Sequence, residues 1–245
     1  MKQNKYDDPG FFANYSQMAR SVGGLEAAGE WQSFRPMLPE LAGKRVLDIG
    51  CGFGWHCRYA REQGAASVVG IDISENMLAR AREMTDDPAI TYRRLAIEDL
   101  DYPDAAFDVV VSSLALHYIE RFDDVCRTVH RLLGAGGSFV FSVEHPVFTS
   151  RAAQDWHYGP GGEKLHWPVD RYYEEGLREA RFLENDVIKY HRTVSTMLNA
   201  LIEAGFRIRK LSEPQPAAEL LAKSPVMRDE LRRPLFLMAA ADRLD

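Results

Sequence analysis

The chain has 245 residues, 46% of them apolar and 27% charged, with a formal net charge of -6 and a pI near 5.7. This composition excludes a disordered or fibrous chain and leaves room for a central sheet with covering helices. It also argues against nucleic acid as a partner, because a polyanion binder carries a basic face that offsets phosphate charge.

Cys51, Cys57 and Cys126 show no metal-ligand spacing and leave an odd count, which suits a reducing cytoplasm better than a disulfide scaffold. The first residues lack the apolar run of a secretory signal. No stretch approaches the roughly 20 apolar residues of a membrane span. The expectation is a cytoplasmic protein, monomer or homodimer, with no membrane partner and no bound metal.

Residues 1–43 are aromatic-rich, with helical pieces expected around 11–20 and 24–35 that end at Pro36 and Pro39. A regular alternation then begins. Lys44–Ile49 is a short apolar run closed by glycine, as in a strand covered on both faces. Residues 54–63 read as a helix stopped by Gly64, and Ser67–Asp72 as a second buried strand. Ser74 is a suitable N-cap for a helix reaching Met84.

Ile90–Leu95 and the β-branched Phe107–Ser112 give two more strands. A helix from Phe122 to Leu133 is expected to end in the glycines of 134–137, with a fifth strand at Ser138–Val143. Strands alternating with helices imply right-handed crossovers and a parallel sheet. The pattern breaks over 146–190, where Leu177–Leu183 and Val187–His191 flank Asn185-Asp186 as a hairpin. A helix from Thr193 to Ala204 and two strands, Phe206–Leu211 and Leu235–Ala239, complete the chain. The organisation expected is one domain over 1–245: a helical cap (1–43), a core (44–145), a lid insertion (146–190) and a C-terminal helix with the last two strands (191–245).

The first strand runs directly into Gly50-Cys51-Gly52-Phe53-Gly54, and a helix opens after it. Glycines there allow a tight turn and close approach to a ligand, and the helix start offers unpaired N–H groups. A glycine triplet alone is also what a simple tight turn needs. Here it has a companion in Asp72, at the end of the second strand and able to accept both ribose hydroxyls of an adenosine cofactor.

A dinucleotide fingerprint would need glycine where this chain has Trp55, whose indole obstructs a pyrophosphate. Asp48 would repel a pyrophosphate too, but complements the amino group and sulfonium of S-adenosylmethionine (SAM). No Gly-Lys-Ser/Thr of a P-loop occurs. SAM is therefore favoured over a nicotinamide cofactor.

Val46–Gly54, Gly70–Ser74 with Met77, Ile97–Leu100 and Phe107–Ser112 together resemble the successive motifs of class I SAM-dependent methyltransferases, most of all the small-molecule type 11 group. The resemblance covers roughly 44–145. It implies a Rossmann-like, seven-stranded, mostly parallel α/β sheet with helices on both faces and the last strand antiparallel.

It also implies that Asp48 and Gly50, Cys51, Gly52 and Gly54 hold the methionine part of SAM and that Asp72 holds the ribose. By the same resemblance Ile73 and Met77 pack near the adenine, Ile97 offers its backbone to the adenine edge with Glu98 close by, and Ser112 begins the loop facing the methionine. Many relatives have an acid where this chain has Ala96, so the adenine amino contact lacks its usual partner.

Methyl transfer is an in-line displacement from an activated donor, and positioning supplies much of the acceleration. A general base helps where the acceptor is a hydroxyl or a protonated amine. Ligands of open parallel sheets sit beyond the carboxyl ends of the strands, a rule that selects His117 and Tyr118, then Glu144 and His145. His117, His145 and His191 are the candidate acid–base groups. Tyr15, with Tyr6, Phe11 and Phe12, is placed to close over SAM, and the 146–190 aromatics to cover a small-molecule acceptor. Two rivals remain at this point, a nucleotide-dependent oxidoreductase and a SAM-binding module without catalysis.

Overall fold

The computed structural model describes residues 3–216, 218–223 and 225–244. The first apolar run becomes β1 (Arg45–Ile49), and the alternation that follows gives α4 (Trp55–Glu62), β2 (Ser67–Asp72), α5 (Glu75–Glu83), β3 (Ile90–Arg94), β4 (Phe107–Ser113), α6 (Phe122–Leu132) and β5 (Leu133–Glu144). Ahead of them lie α1 (Pro9–Ser16), α2 (Ala19–Gly23) and α3 (Trp31–Phe34). After them come α7 (Pro146–Thr149), β6 (His157–Tyr158), β7 (Lys164–His166), β8 (Gly176–Phe182), β9 (Asn185–His191), α8 (Val194–Glu203), β10 (Phe206–Ser212), α9 (Ala218–Lys223) and β11 (Phe236–Arg243).

Seven strands form one sheet in the order β10-β11-β5-β4-β1-β2-β3. All run parallel except β11, which is antiparallel to both β5 and β10. Alternate residues of β1 serve opposite faces, as a strand covered on both sides requires. Leu47 and Ile49 join Phe139, Phe141 and the apolar stripe of α6 on one face. Val46 joins Val109, Val111 and Leu78 on the other, where Trp31, Phe34 and Met37 of the N-terminal segment complete the same core. β1 lies between β2 and β4, so the connections diverge there and open a crevice beyond the carboxyl ends of those strands.

Three local expectations change. The N-terminal segment is not two helices but a series of short ones. Asp8 caps α1 by accepting the Phe11 N–H, Met18 leaves the helix in an extended conformation, and Gly24 turns the chain with φ 65°. β5 starts at Leu133 rather than Ser138, because the glycines of 134–137 continue the strand through a register shift against β4. The β8–β9 turn falls on Leu183-Glu184, both left-handed (φ 50° and 64°), and not on Asn185-Asp186. Phe182 pairs with Asn185, whose side-chain amide donates to the Leu183 carbonyl.

The insertion packs as a wall with fixed anchors. From β9, Val187, Lys189 and His191 turn inward, and the strand rests on α7 and on the turn that carries His117. Among the described residues, no helix is long and apolar enough to cross a membrane.

Candidate active site

Gly50, Gly52 and Gly54 all take left-handed backbone (φ 71°, 53° and 72°). A Cβ on Gly50 would lie 2.4 Å from the Cβ of Ala115, and one on Gly54 would lie 2.1 Å from the Tyr92 hydroxyl. The loop therefore tolerates no side chain at either place. Asp72 holds it from the neighbouring strand: Oδ2 accepts the Gly52 N–H and Oδ1 the Ser74 N–H, both at 2.9 Å. Burial raises the Asp72 pKa, opposed by those backbone N–H groups.

Beneath the loop, Asp48 is buried. Its Oδ2 accepts the Cys57 S–H at 3.2 Å, and its Oδ1 has no partner. Burial pushes Asp48 up to about 7 and Cys51, its neighbour in the loop, to about 11. Trp55 opens α4 with its ring against Gly24 of the cap, and the Arg58 guanidinium lies 4.5 Å over it. The indole is thus tied into the packing between cap and loop.

Beyond the end of β2, Ser74 caps α5 by accepting the Met77 N–H, and the Met77 methyl lies beside Gly52. Ile73 is half-buried. Ala96 is buried, and Ile97 and Glu98 follow it on a short 3-10 turn with Glu98 exposed. An N-terminal strap docks over this end. Asp7 Oδ1 accepts the Ser74 hydroxyl (2.6 Å) and the Asn76 N–H (3.1 Å), while the Asn4 amide donates to the Ile73 carbonyl (3.4 Å). Tyr6 and Tyr15 meet edge to face, 5.1 Å apart.

Ser112, expected to begin the loop that faces the methionine, donates its hydroxyl to the Ile49 carbonyl and ties β4 to β1, and Ser113 after it lines the cleft. That cleft, a narrow space of about 50 Å³, runs between Tyr15, Arg20, the glycine loop and Ser113. Arg20 pairs with the buried Glu30 at 2.9 Å. It escaped the sequence reading because a single arginine in a short irregular helix carries no pattern.

The three histidines differ in what they can do. His117 is 5% exposed, and its Nδ1 accepts the Glu144 N–H at 3.4 Å. Burial pushes it down to about 4; Glu144 opposes that shift, and Lys189, Arg192 and Arg20 reinforce it. His145 caps α7: its Nδ1 accepts the Val147 N–H, and its Nε2 lies 2.8 Å from Glu213. His191 donates Nε2–H to the Tyr172 carbonyl (2.9 Å) and accepts the Thr149 hydroxyl at Nδ1 (2.8 Å). Both nitrogens of His191, a candidate acid–base group, are engaged by these partners.

Glu144 ends β5 with its Oε1 2.6 Å from the Lys189 ammonium and its Oε2 accepting from Gln154 at 3.1 Å. Lys189, 1% exposed, also donates to Gln154 Oε1 at 2.9 Å. Its inward register beside Val187 and His191 is the one signal by which the sequence announced it. Among the described residues, no cluster of three His, Cys, Asp or Glu can hold a metal ion.

A parallel sheet with an inverted final strand, a side-chain-free loop after β1 and an acid closing β2 define a nucleoside-cofactor enzyme of the class I methyltransferase architecture. The methyltransferase-domain family model matches residues 47–141. A solved SAM-dependent methyltransferase of Mesorhizobium loti is 48% identical over 90% of this chain and 100% of its own, with a TM-score of 0.84. A Listeria monocytogenes protein assigned to the same class is 52% identical over 89% of this chain and 100% of its own, also at 0.84. An uncharacterized methyltransferase of Synechocystis is 35% identical over 145 residues, 57% of this chain and 65% of its own length. The chain belongs to the SAM-dependent methyltransferases, in the class I, type 11 group. SAM is its cofactor, which removes the oxidoreductase alternative.

The residues present fit that cofactor. The loop approaches a ligand without side chains, the unpaired Asp48 oxygen complements a positive charge, and Arg20 in the cleft complements a carboxylate.

Proposed function

We propose that the cleft holds SAM with its ribose on Asp72, its adenine between Ile73, Met77 and the Ile97 backbone near Glu98, and its methionine part on Gly50, Cys51, Gly52 and Gly54. Arg20 receives the carboxylate, Asp48 supplies the compensating negative charge below, Ser113 takes the place expected for Ser112, and Tyr15 covers the cofactor. The observation that carries this reading is the Asp72 carboxylate, fixed at the crevice by the Gly52 and Ser74 N–H groups while both its oxygens keep acceptor capacity for hydroxyls. Bound SAM supplies a methyl group already activated on a sulfonium.

The acceptor is a small molecule docking at the carboxyl ends of β4 and β5, between His117, Tyr118, Tyr6 and the β8–β9 wall. His145 and His191 support that wall rather than touch the acceptor. A net charge of -6 supports a partner other than nucleic acid. Three buried, unpaired cysteines support a cytoplasmic setting. Titration calorimetry with S-adenosylhomocysteine tests the cofactor assignment: Asp72→Ala weakens binding by about 1–3 kcal/mol, the scale of lost charge-assisted hydrogen bonds. An Asp72→Ala protein that binds as tightly as the wild type removes Asp72 from the ribose site.

A further inference from the structure

An acceptor at the ends of β4 and β5, the docking place read above and on which this inference rests, meets a specific set of polar groups. Each group able to take a proton there is already committed. His117 uses Nδ1 to accept the Glu144 N–H, so its neutral ring carries the proton on Nε2 and presents a donor. Glu144 pairs with the Lys189 ammonium on one oxygen and accepts from Gln154 on the other, so it is a charge-paired carboxylate and a weak base. His145 has Nδ1 on the Val147 N–H, and His191 uses both nitrogens. Glu30 holds Arg20, and Asp48, which keeps one oxygen unpartnered, lies on β1 under the glycine loop rather than at the ends of β4 and β5.

Donors, by contrast, are plentiful. The Tyr118 and Tyr6 hydroxyls share a hydrogen bond at 3.5 Å, so one donates to the other and the second keeps its proton to give, and the His117 ring lies 4.4 Å from that of Tyr118. Burial raises the pKa of both phenols, so they stay protonated, and it lowers that of His117, so it stays neutral. Among the charged groups bearing on His117 are Glu144, Lys189, Arg192 and Arg20, of which Lys189 is paired with Glu144 and Arg20 with Glu30.

We propose that the acceptor is a carboxylate, methylated on oxygen, held by the His117 Nε2–H and the remaining hydroxyl proton of the Tyr6–Tyr118 pair with no general base. An alcohol, a thiol or an ammonium must lose a proton before or during attack, whereas a carboxyl group is ionised at neutral pH. The new C–O bond forms from a carboxylate lone pair as the S–CH3 bond breaks, and that bond's electron pair stays on sulfur. One negative and one positive charge are consumed, and no proton is released. A site with donors and no open base is matched to that balance.

The test begins with the protein, methyl-labelled SAM and a small-molecule extract of bacterial cells. Mild alkali then releases the transferred label as volatile methanol, as from an ester; label that stays bound in alkali, or no transfer to the extract, overturns the proposal. A readout independent of turnover is nitrogen-15 NMR of His117. The expected ring holds its proton on Nε2 and does not titrate between about pH 5.5 and 8.5. A proton on Nδ1, or titration near 7, overturns it.

Among variants, H117Q retains an N–H close to the Nε2 position and transfers label about tenfold faster than H117L, one lost hydrogen bond apart. Glutamine as inactive as leucine identifies a base and overturns the proposal. An alkali-labile product made equally by both variants places the failure in the docking reading instead.

Discussion

The two ends of the site are held by different kinds of bond. Around the glycine loop the contacts are made by backbone N–H groups: those of Gly52 and Ser74 to the Asp72 carboxylate, and those of Gly50 and Cys51 to the Ile71 carbonyl. At the acceptor end they are side chain to side chain across long stretches of sequence, with Lys189 meeting Glu144 and Gln154 from 45 and 35 residues away. The first arrangement depends on where the chain can bend and repeats wherever the same turn is built. The second depends on which residues the insertion carries, and it can change with the acceptor while the cofactor loop stays as it is.

Substitutions at each end separate the two. The largest effect is expected at the acceptor wall. Lys189→Met leaves the half-buried Glu144 without its ammonium partner, a loss of about 3 kcal/mol in denaturant unfolding, and adding Glu144→Gln restores more than half of it. A Lys189→Met protein within about 1 kcal/mol of wild type would mean that the pair does not hold the wall in place. Next comes the cofactor loop. Gly50→Val forces a Cβ into Ala115 at a left-handed position, and affinity for S-adenosylhomocysteine falls by about 100-fold or more, with stability affected less. Near-normal affinity would show that the loop can be re-formed around a side chain.

A different kind of effect is a pH slope. Asp48 titrates at about 7 in the folded chain because burial disfavours its charge, against 3.8 for an ordinary carboxyl. Its contribution to stability is therefore complete below about pH 4 and is lost as pH rises through about 7. Thermal unfolding of the cofactor-free protein should show that decline, and Asp48→Asn should flatten it. A slope that survives in Asp48→Asn belongs to another group.

These differences also decide what the sequence could disclose. Val46–Ile49 and Ser67–Asp72 are apolar runs bounded by glycine or acid, so their strands, and Asp72 at the end of one, follow from local pattern. Ser74 capping α5 is equally local. The cap was misjudged because Asp8, Met18 and Gly24 cut it into pieces shorter than a helical period can reveal. The hairpin turn was misplaced because Leu183 and Glu184 hold left-handed backbone that their side chains disfavour.

The insertion was legible only as an interruption of the alternation. The roles of Lys189, Gln154 and His191 are set by partners that only the folded chain brings near. Ser112 shows the limit at its finest: the strand was right, and one step along it exchanges a hydroxyl spent inside the sheet for one facing the cleft.

Trp55 entered as the residue that denies a pyrophosphate its room. In the folded chain its indole lies on Gly24, a position where a Cβ would come within 2.7 Å of the ring, with Arg58 stacked over it. Trimming the indole to glycine would therefore not yield a dinucleotide site. It would open a void between the cap and the loop, with the loss of packing that a void brings. Cofactor choice in this protein is inseparable from how its first 43 residues are seated, and a redesign of either must rebuild both.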